Sequence, residues 1–260
     1  MYETLLYSVS GAVAEIRFNR PHRLNAVIDA LYTELQDALD RAEADSDVRV
    51  LVLTGEGRAF CVGADLKAHA EGTRTPFQRR EYLRGEQQVC KRLLTSDKPV
   101  VAAVNGYALG AGAEMALACD FLVMAESAQW GLPEISLGTF LGGGLTRLLP
   151  QRVGMGRARE LIYFGRKISG PEAVQMGLAD RCWPDDHFRE EVRRFAAELA
   201  EKAPISMKLA KECLYRGSER SLEDTLIAEL EGMMFCTTTR DWQEGIRAFA
   251  EKRTPRYTGD

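Results

Sequence analysis

The first clear signal along the chain is an alternation. In GAVAEIRFNRP (11–21), Ala12, Ala14, Ile16 and Phe18 alternate with Val13, Glu15 and Arg17, a period of two that predicts a strand closed by Pro21. From Ile28 to Ala44 the period lengthens. Leu31, Leu35, Ala38, Leu39 and Ala42 recur at helical spacing with charged residues between them. VRVLVLTGEG (48–57) and KPVVAAVNG (98–106) are short apolar runs ending in glycine, which predicts buried strands, with a helix over Glu81–Thr95 between them. DFLVMAE (120–126) predicts a further strand. Strands and helices in this order predict an α/β fold with parallel pairing.

After about residue 155 the pattern becomes helical throughout. GRARELIYFG, SGPEAVQMGL, DHFREEVRRFAAELAEKAP, PISMKLAKECLYRG, SLEDTLIAELEGMMFC and TRDWQEGIRAFAEKR each predict a helix. Ser169, Pro171 and Glu172 supply a helix start for the second of these. The stripe Leu222, Leu226, Leu230, Met233 and Met234 suits either core packing or a subunit interface, and the pattern alone does not choose.

Composition narrows the class. A chain of 260 residues, 45% hydrophobic and 28% charged, is ordinary for a globular protein and long enough to bury a large core. A formal net charge of −4 gives no general electrostatic reason to bind nucleic acid. Cys61, Cys90, Cys119, Cys182, Cys213 and Cys236 show neither CxxC spacing nor clustering with histidine, which predicts free thiols rather than disulfides or a metal site. The N-terminus carries Glu3 and lacks the layout of a secretion signal. No apolar run approaches the roughly 20 residues needed to span a bilayer. A cytoplasmic protein without membrane attachment is the expectation.

Candidate chemistry lies in three glycine-bearing stretches, RAFCVGADLKAHA (58–70), YALGAGAEMALACDF (107–121) and WGLPEISLGTFLGGGLTRL (130–148). Glycine turns after strands let backbone amides approach a ligand, and helix starts add outward N–H groups. Two such turns side by side can hold a negative charge developing on one oxygen. Neither a GxxxxGKS/T nor a GxGxxG phosphate loop is present. Two glutamates, Glu114 and Glu134, sit in apolar surroundings and suggest an acid/base pair. A helix N-terminus should keep Glu114 ionised, and desolvation should keep Glu134 protonated. His22, His69 and His187 have no matching partners and read as solvent-facing or structural.

Taken together, FNRPHRLNAV (18–27), AFCVGADLK (59–67), KPVVAAVNGYALGAGAEMALACDF (98–121), LPEISLG (132–138) and AFAEKRTP (248–255) resemble the crotonase family of enoyl-CoA hydratases and isomerases over nearly the whole chain. The resemblance implies an α/β spiral of ββα units with a C-terminal helical region. The spiral core with the acyl-CoA site is expected over residues 1–195, and helices for covering and oligomerisation over 196–260. It implies an oxyanion hole from the backbone amides of Ala64 and Ala111. Glu114 and Glu134 would hold a water, Glu134 supplying a proton to C2 and Glu114 polarising the attacking water. Coenzyme A would lie along Ala64, Asp65, Leu66 and Lys67 and near His22, Arg23 and Leu24. Phe249 and Lys252 of a neighbouring subunit would close over its nucleotide end.

The implied activity is reversible hydration of a 2-enoyl-CoA in a homotrimer or homohexamer. No metal or cofactor is expected, because coenzyme A is part of the substrate. A double-bond isomerase or carnitinyl-CoA-type dehydratase is the alternative, the latter because DLKAHAEG and FAEKRTPRYTGD resemble those enzymes. A non-catalytic binding member is a further possibility. Two departures bear on substrate: Ala111 stands where glycine is usual, and LGTFLGGGLTRL lacks the usual proline and is one residue short.

Overall fold

The four apolar runs expected as strands lie side by side in a single sheet of the computed structural model, which describes residues 2–72, 74–217 and 220–260. The side chains of His69, Glu71 and Arg216 lie outside the described residues. In chain order the strands are β1 (Leu5–Ser10), β2 (Val13–Phe18), β3 (Val50–Gly55), β4 (Ala59–Cys61), β5 (Val100–Val104), β6 (Tyr107–Leu109), β7 (Phe121–Ala125), β8 (Gln129–Gly131), β9 (Lys167–Ser169) and β10 (Arg181–Trp183). The helices are α1 (Asp29–Ala44), α2 (Leu66–Glu71), α3 (Pro76–Thr95), α4 (Ala111–Leu117), α5 (Leu145–Val153), α6 (Met155–Phe164), α7 (Gly170–Gln175), α8 (Phe188–Ala200), α9 (Pro204–Gly217), α10 (Leu222–Thr237) and α11 (Arg240–Glu251).

The larger sheet runs β1-β2-β3-β5-β7-β10 and is parallel from β2 onward. The smaller runs β4-β6-β8-β9, with β4, β6 and β8 parallel and β9 antiparallel. Each turn of the chain therefore lays one strand in each sheet and then adds a helix. The sets β3, β4, α2–α3, then β5, β6, α4, then β7, β8, α5–α6 make the spiral of ββα units.

Burial explains the sequence pattern. Every residue of β3 and β5 is buried, so these strands read as continuous apolar runs. Between the edge strand β1 and the buried β3, β2 buries only Ala14, Ile16 and Phe18, hence its alternation. Helix α1 buries Leu31, Leu35, Ala38, Leu39 and Ala42, the expected face, and adds Tyr32. Helix α3 begins earlier than the pattern predicts. Thr75 and Gln78 cap each other around Pro76, so the start is set by local hydrogen bonds rather than by apolar periodicity. Ser169 and Glu172 make the same capping box on α7. None of the six cysteines is in a disulfide.

The C-terminal third has two characters. Helix α8 buries Phe188, Val192 and Ala196 and packs on β2, β3 and β7, so the expected boundary between residues 195 and 196 falls inside a helix of the core. Helix α9 is tied down by Lys211, whose ammonium donates to Asp120 at 2.8 Å and to the carbonyls of Leu93 and Lys98. Helix α10 buries none of its residues. Leu222, Leu226, Leu230, Met233 and Met234 are all at least half exposed, so that stripe is not core of this chain. Among the described residues no helix is long and apolar enough to cross a membrane.

Helix α4 lies deepest of the helices, with all seven of its residues buried. Trp130 of β8, itself fully buried, donates from its indole N–H to Ala113 O at 3.2 Å and holds the helix. On its other side the α4 backbone lies against β4, where a β-carbon on Gly112 would collide with the Cys61 carbonyl. Replacing Gly112→Ala is expected to cost ~1–3 kcal/mol of stability in urea unfolding. The control Gly156→Ala, with open space around it, should leave stability unchanged or raise it.

Candidate active site

Three turns meet at one edge of the smaller sheet. Because β4, β6 and β8 run parallel, the segments that follow Cys61, Leu109 and Gly131 all leave from their carboxyl ends. The first continues into Val62–Asp65, the second into Gly110 and α4, the third into Leu132–Glu134. Gly110 donates to Gly131 O at 3.2 Å, joining the second turn to the third. A β-carbon on Gly63 would stand 3.2 Å from Ala111 N, and one on Gly110 would stand 2.9 Å from Glu134 Oε1. The Ala64 turn, the Ala111 amide and the Glu134 carboxyl are thus neighbours around two glycines with positive φ, 82° at Gly63 and 54° at Gly110.

Ala111 itself has an ordinary negative φ at the first position of α4, since Gly110 takes the positive φ. Its amide, like that of Ala64, donates to no other group among the described residues. Ala64 pairs only through its neighbours, Val27 N to Gly63 O at 2.8 Å and Asp65 N to Val27 O at 3.1 Å. Backbone donors of this kind at the ends of parallel strands can receive a negative oxygen.

The segment 20–27 packs against the first turn and brings His22, Arg23 and Leu24 beside Ala64–Lys67. Val62 N donates to Leu24 O at 3.3 Å, and Arg20 pairs with Asp65 at 3.2 Å. Leu24 and Asn25 both have positive φ, 52° and 58°. Asn25 holds this strained bend, accepting from Arg20 N and donating to the carbonyls of Glu56 and Ala59. Asp65 caps α2 through Ala68 N. Burial opposes its ionisation, yet the Ala68 amide and the Arg20 guanidinium hold its carboxyl below the usual range. His22, Arg23, Leu66 and Lys67 are exposed. Phe249 and Lys252 are not part of this cluster in one chain. They lie at the end of α11, which packs on α10, with Phe249 88% exposed. His187 is exposed beside Asp186.

The two glutamates are buried, Glu114 to 2% exposure and Glu134 to 7%. Glu114 Oε1 accepts from Gly142 N at 2.7 Å, while Glu114 Oε2 and Glu134 Oε2 are buried with no partner. A third carboxyl, not anticipated from the sequence, joins them. Glu86 of α3 is 9% exposed, accepts from the Tyr32 hydroxyl at 3.2 Å and faces Glu114 across Gly142. Its signal was present: Tyr82, Glu86, Val89, Cys90 and Leu93 are the buried face of α3, and an acid in such a stripe is the informative exception.

The expected division of protonation between the two acids does not hold. Burial, and then the adjoining Glu86, push the Glu114 carboxyl well above the usual carboxylate range, against the pull of the Gly142 amide. Burial also raises Glu134, opposed by its own backbone amide and reinforced by the charge of Glu86. The start of a seven-residue helix is too weak a field to outweigh desolvation and a second carboxyl.

Around the site, the turn after Glu134 exposes Ile135, Leu137 and Phe140. A separate cavity of about 540 Å³ lies between α3, α5 and α9; Cys90, Leu94 and Leu148 line it, and it reaches Gly143 but neither Glu114 nor Glu134. No group of His, Cys, Asp and Glu able to hold a metal occurs among the described residues.

Two buried carboxyls beside free backbone amides in an α/β fold are an arrangement capable of proton transfer next to a polarised oxygen. More specifically, the chain belongs to the enoyl-CoA hydratase/isomerase family, whose profile matches residues 8–260. It is 37% identical over 255 residues to a 2,3-dehydroadipyl-CoA hydratase of Escherichia coli, covering 98% of both chains. It is 33% identical to a crotonyl-CoA hydratase of Syntrophomonas wolfei, again covering 98% of both. The crystal structure of an enoyl-CoA hydratase from Bacillus anthracis superposes with a TM-score of 0.95 at 38% identity, covering 99% of this chain and 100% of that one.

The raised carboxyls carry a stability consequence. A carboxyl whose folded-state pKa exceeds its unfolded value keeps a proton that the unfolded chain has lost, so its contribution falls as pH rises above the ordinary carboxylate range. Glu114→Gln removes that liability. Its Tm should match the wild type near pH 4 and exceed it progressively toward pH 8, by a few degrees or ~1–2 kcal/mol. Thermal unfolding across that pH series is the measurement.

Proposed function

We propose that this protein is an enoyl-CoA hydratase that adds water reversibly across the C2=C3 bond of a 2-enoyl-CoA thioester. The observation that carries the reading is the pairing of Glu114 and Glu134, each with an unpartnered buried oxygen, at the sheet edge where the Ala64 and Ala111 amides are free.

In this reading the thioester oxygen accepts hydrogen bonds from Ala64 and Ala111. A water held by the two glutamates attacks C3; as its O–C3 bond forms, the π electrons move onto C2 and the thioester oxygen. Glu134 delivers its proton to C2 and recovers one from the added water, so the sum is one water added and both acids unchanged. Its raised affinity for a proton suits it to the donor's task. Glu114 accepts a hydrogen bond from the water and orients it. Losing one oxyanion donor would cost ~3–4 kcal/mol, about 100- to 1,000-fold in rate.

The residues His22, Arg23, Leu24, Asp65, Leu66 and Lys67, gathered on one side of the first turn, would bind coenzyme A, with exposed basic groups suited to its phosphates. The apolar Ile135, Leu137 and Phe140 would meet the acyl group. Hydration is redox-neutral and its charge is met by amides, so the reaction calls for no metal or redox cofactor. The exposed apolar stripe of α10 supports assembly into trimers or hexamers, in which Phe249 and Lys252 of one subunit would reach the nucleotide end in the next. Free thiols on half-buried positions favour the cytoplasm.

Crotonyl-CoA and longer enoyl-CoAs should give 3-hydroxyacyl-CoA, detected by mass spectrometry. Glu134→Gln and Glu114→Gln should each lower kcat by about 100- to 10,000-fold. Full activity in both variants, or migration of the double bond with no hydroxyacyl product, would defeat the reading.

A further inference from the structure

Glu86 takes no part in the hydration chemistry, yet it is buried against the group that orients the water. Its Oε2 accepts from the Tyr32 hydroxyl at 3.2 Å. Its Oε1 faces the same point above Gly142 as Glu114 Oε2, since a β-carbon there would collide with the first and lie 2.8 Å from the second. Glu114 Oε1 already holds the Gly142 amide, and Glu114 Oε2 has no donor. Two carboxyl oxygens thus confront each other inside the protein; the Gln87 side-chain amide lies 3.3 Å from the same point but makes no hydrogen bond to Glu114 Oε2. Both ionised, they would be adjacent like charges in a desolvated site. One proton placed between them converts the repulsion into a charge-assisted hydrogen bond.

We propose that Glu86 and Glu114 hold a single proton between them, and that Glu86 is thereby a positioning residue that keeps Glu114 an acceptor for the attacking water. The proposal rests on the hydratase reading for its second half only. A pair with one proton carries one negative charge. That leaves Glu114 able to orient water without stripping its proton, while the proton destined for C2 stays on Glu134. The shared proton remains within the pair throughout the cycle.

The groups facing the pair agree with this. Tyr32 comes from α1, Tyr82 and Cys90 from α3 itself, Cys61 from β4, and Glu134 from the turn after β8. Burial pushes Cys61 up to about 12 and raises Cys90 and both tyrosines, so all four are neutral near pH 7. The cations nearest in effect act at one remove, Arg20 on Cys61 and Arg74 stacked over Tyr82 at 4.5 Å. The charge balance of the pair is therefore left to the two carboxyls and Glu134.

Infrared difference spectroscopy tests the proton directly. In Glu134→Gln, which removes the other raised acid, a protonated-carboxyl carbonyl band should persist at pH 8. It should disappear in the double variant Glu86→Gln/Glu134→Gln, where the amide of residue 86 supplies the hydrogen bond to an ionised Glu114. No band in the single variant, or the same band in the double, overturns sharing. Kinetics tests the role. The wild-type kcat/KM should fall on an alkaline limb to which both the pair and the donor Glu134 contribute, and Glu86→Gln should shift that limb by removing the pair's share and leaving only that of Glu134. Glu86→Leu, with no donor to offer, should lose ~100-fold or more in kcat with KM little changed, and Glu86→Gln should restore most of it. An unaltered alkaline limb in Glu86→Gln, or a fully active Glu86→Leu, overturns the positioning role. If the wild type hydrates no enoyl-CoA, the hydratase reading and the positioning role fall together, while the infrared result still upholds or overturns the shared proton by itself.

Discussion

Parallel pairing of β4, β6 and β8 fixes where every candidate group lies, because three strands of three residues each end at the same edge and the chain must turn there. The larger sheet supplies the rigidity. Its central strands are buried on both faces, and each sends the chain across to the small sheet before a helix returns it. Three successive passes deliver an amide at Ala64, an amide and a carboxyl at the start of α4, and a second carboxyl at Glu134. No single segment contains the site; the spiral assembles it.

Close approach at this edge depends on residues that have no side chain. Gly63 and Gly110 occupy φ values that suit glycine, and Gly112 lets the α4 backbone rest on the Cys61 carbonyl. The cluster so formed is costly to fold. It buries three carboxyls, two of them raised, with two oxygens unpartnered, and the surrounding core must compensate. Trp130 against Ala113 and Asn25 beneath the 20–27 bend are the fixtures that hold the expensive geometry in place. Strain and unsatisfied polarity of this kind gather where a protein does chemistry rather than where it only packs.

How much of the architecture was legible depended on period and length. The strands β2, β3, β5 and β7 and helix α1 announced themselves because five or more residues with a regular burial pattern are legible, whereas the six-residue β1 buries only Leu5 and shows none. Strands β4, β6, β8, β9 and β10 have three residues each, too few to show a period of two, and only the glycines after them hinted at their ends. Glu114 and Glu134 stood out for their apolar neighbours. Glu86 did not, because REYLRGEQQ looks charged when read in order and shows an inward acid only when wound onto a helix whose buried face is known. The raised Glu114 carboxyl has its larger cause in burial and its second in Glu86, and both arise from tertiary packing. A helix start is visible in sequence, but the carboxyl that opposes it comes from another helix.

The two departures from the usual family pattern find opposite resolutions in the structure. Ala111 changes little, because Gly110 bears the positive φ and residue 111 needs only an ordinary helical backbone. The shortened glycine run, by contrast, is coupled to Glu86. Gly143 and Gly144 turn the chain at φ values of 58° and 77° so that Gly142 lies over Glu114 and donates to it. At that point a β-carbon would strike both carboxyls. Glycine at 142 and glutamate at 86 are therefore complementary choices: the first leaves the space that the second enters. A side chain at 142 would force Glu86 away from Glu114, leaving the Gln87 amide as the polar group nearest that point. The short loop and the third acid are best understood as one feature of this chain, built around a single buried oxygen.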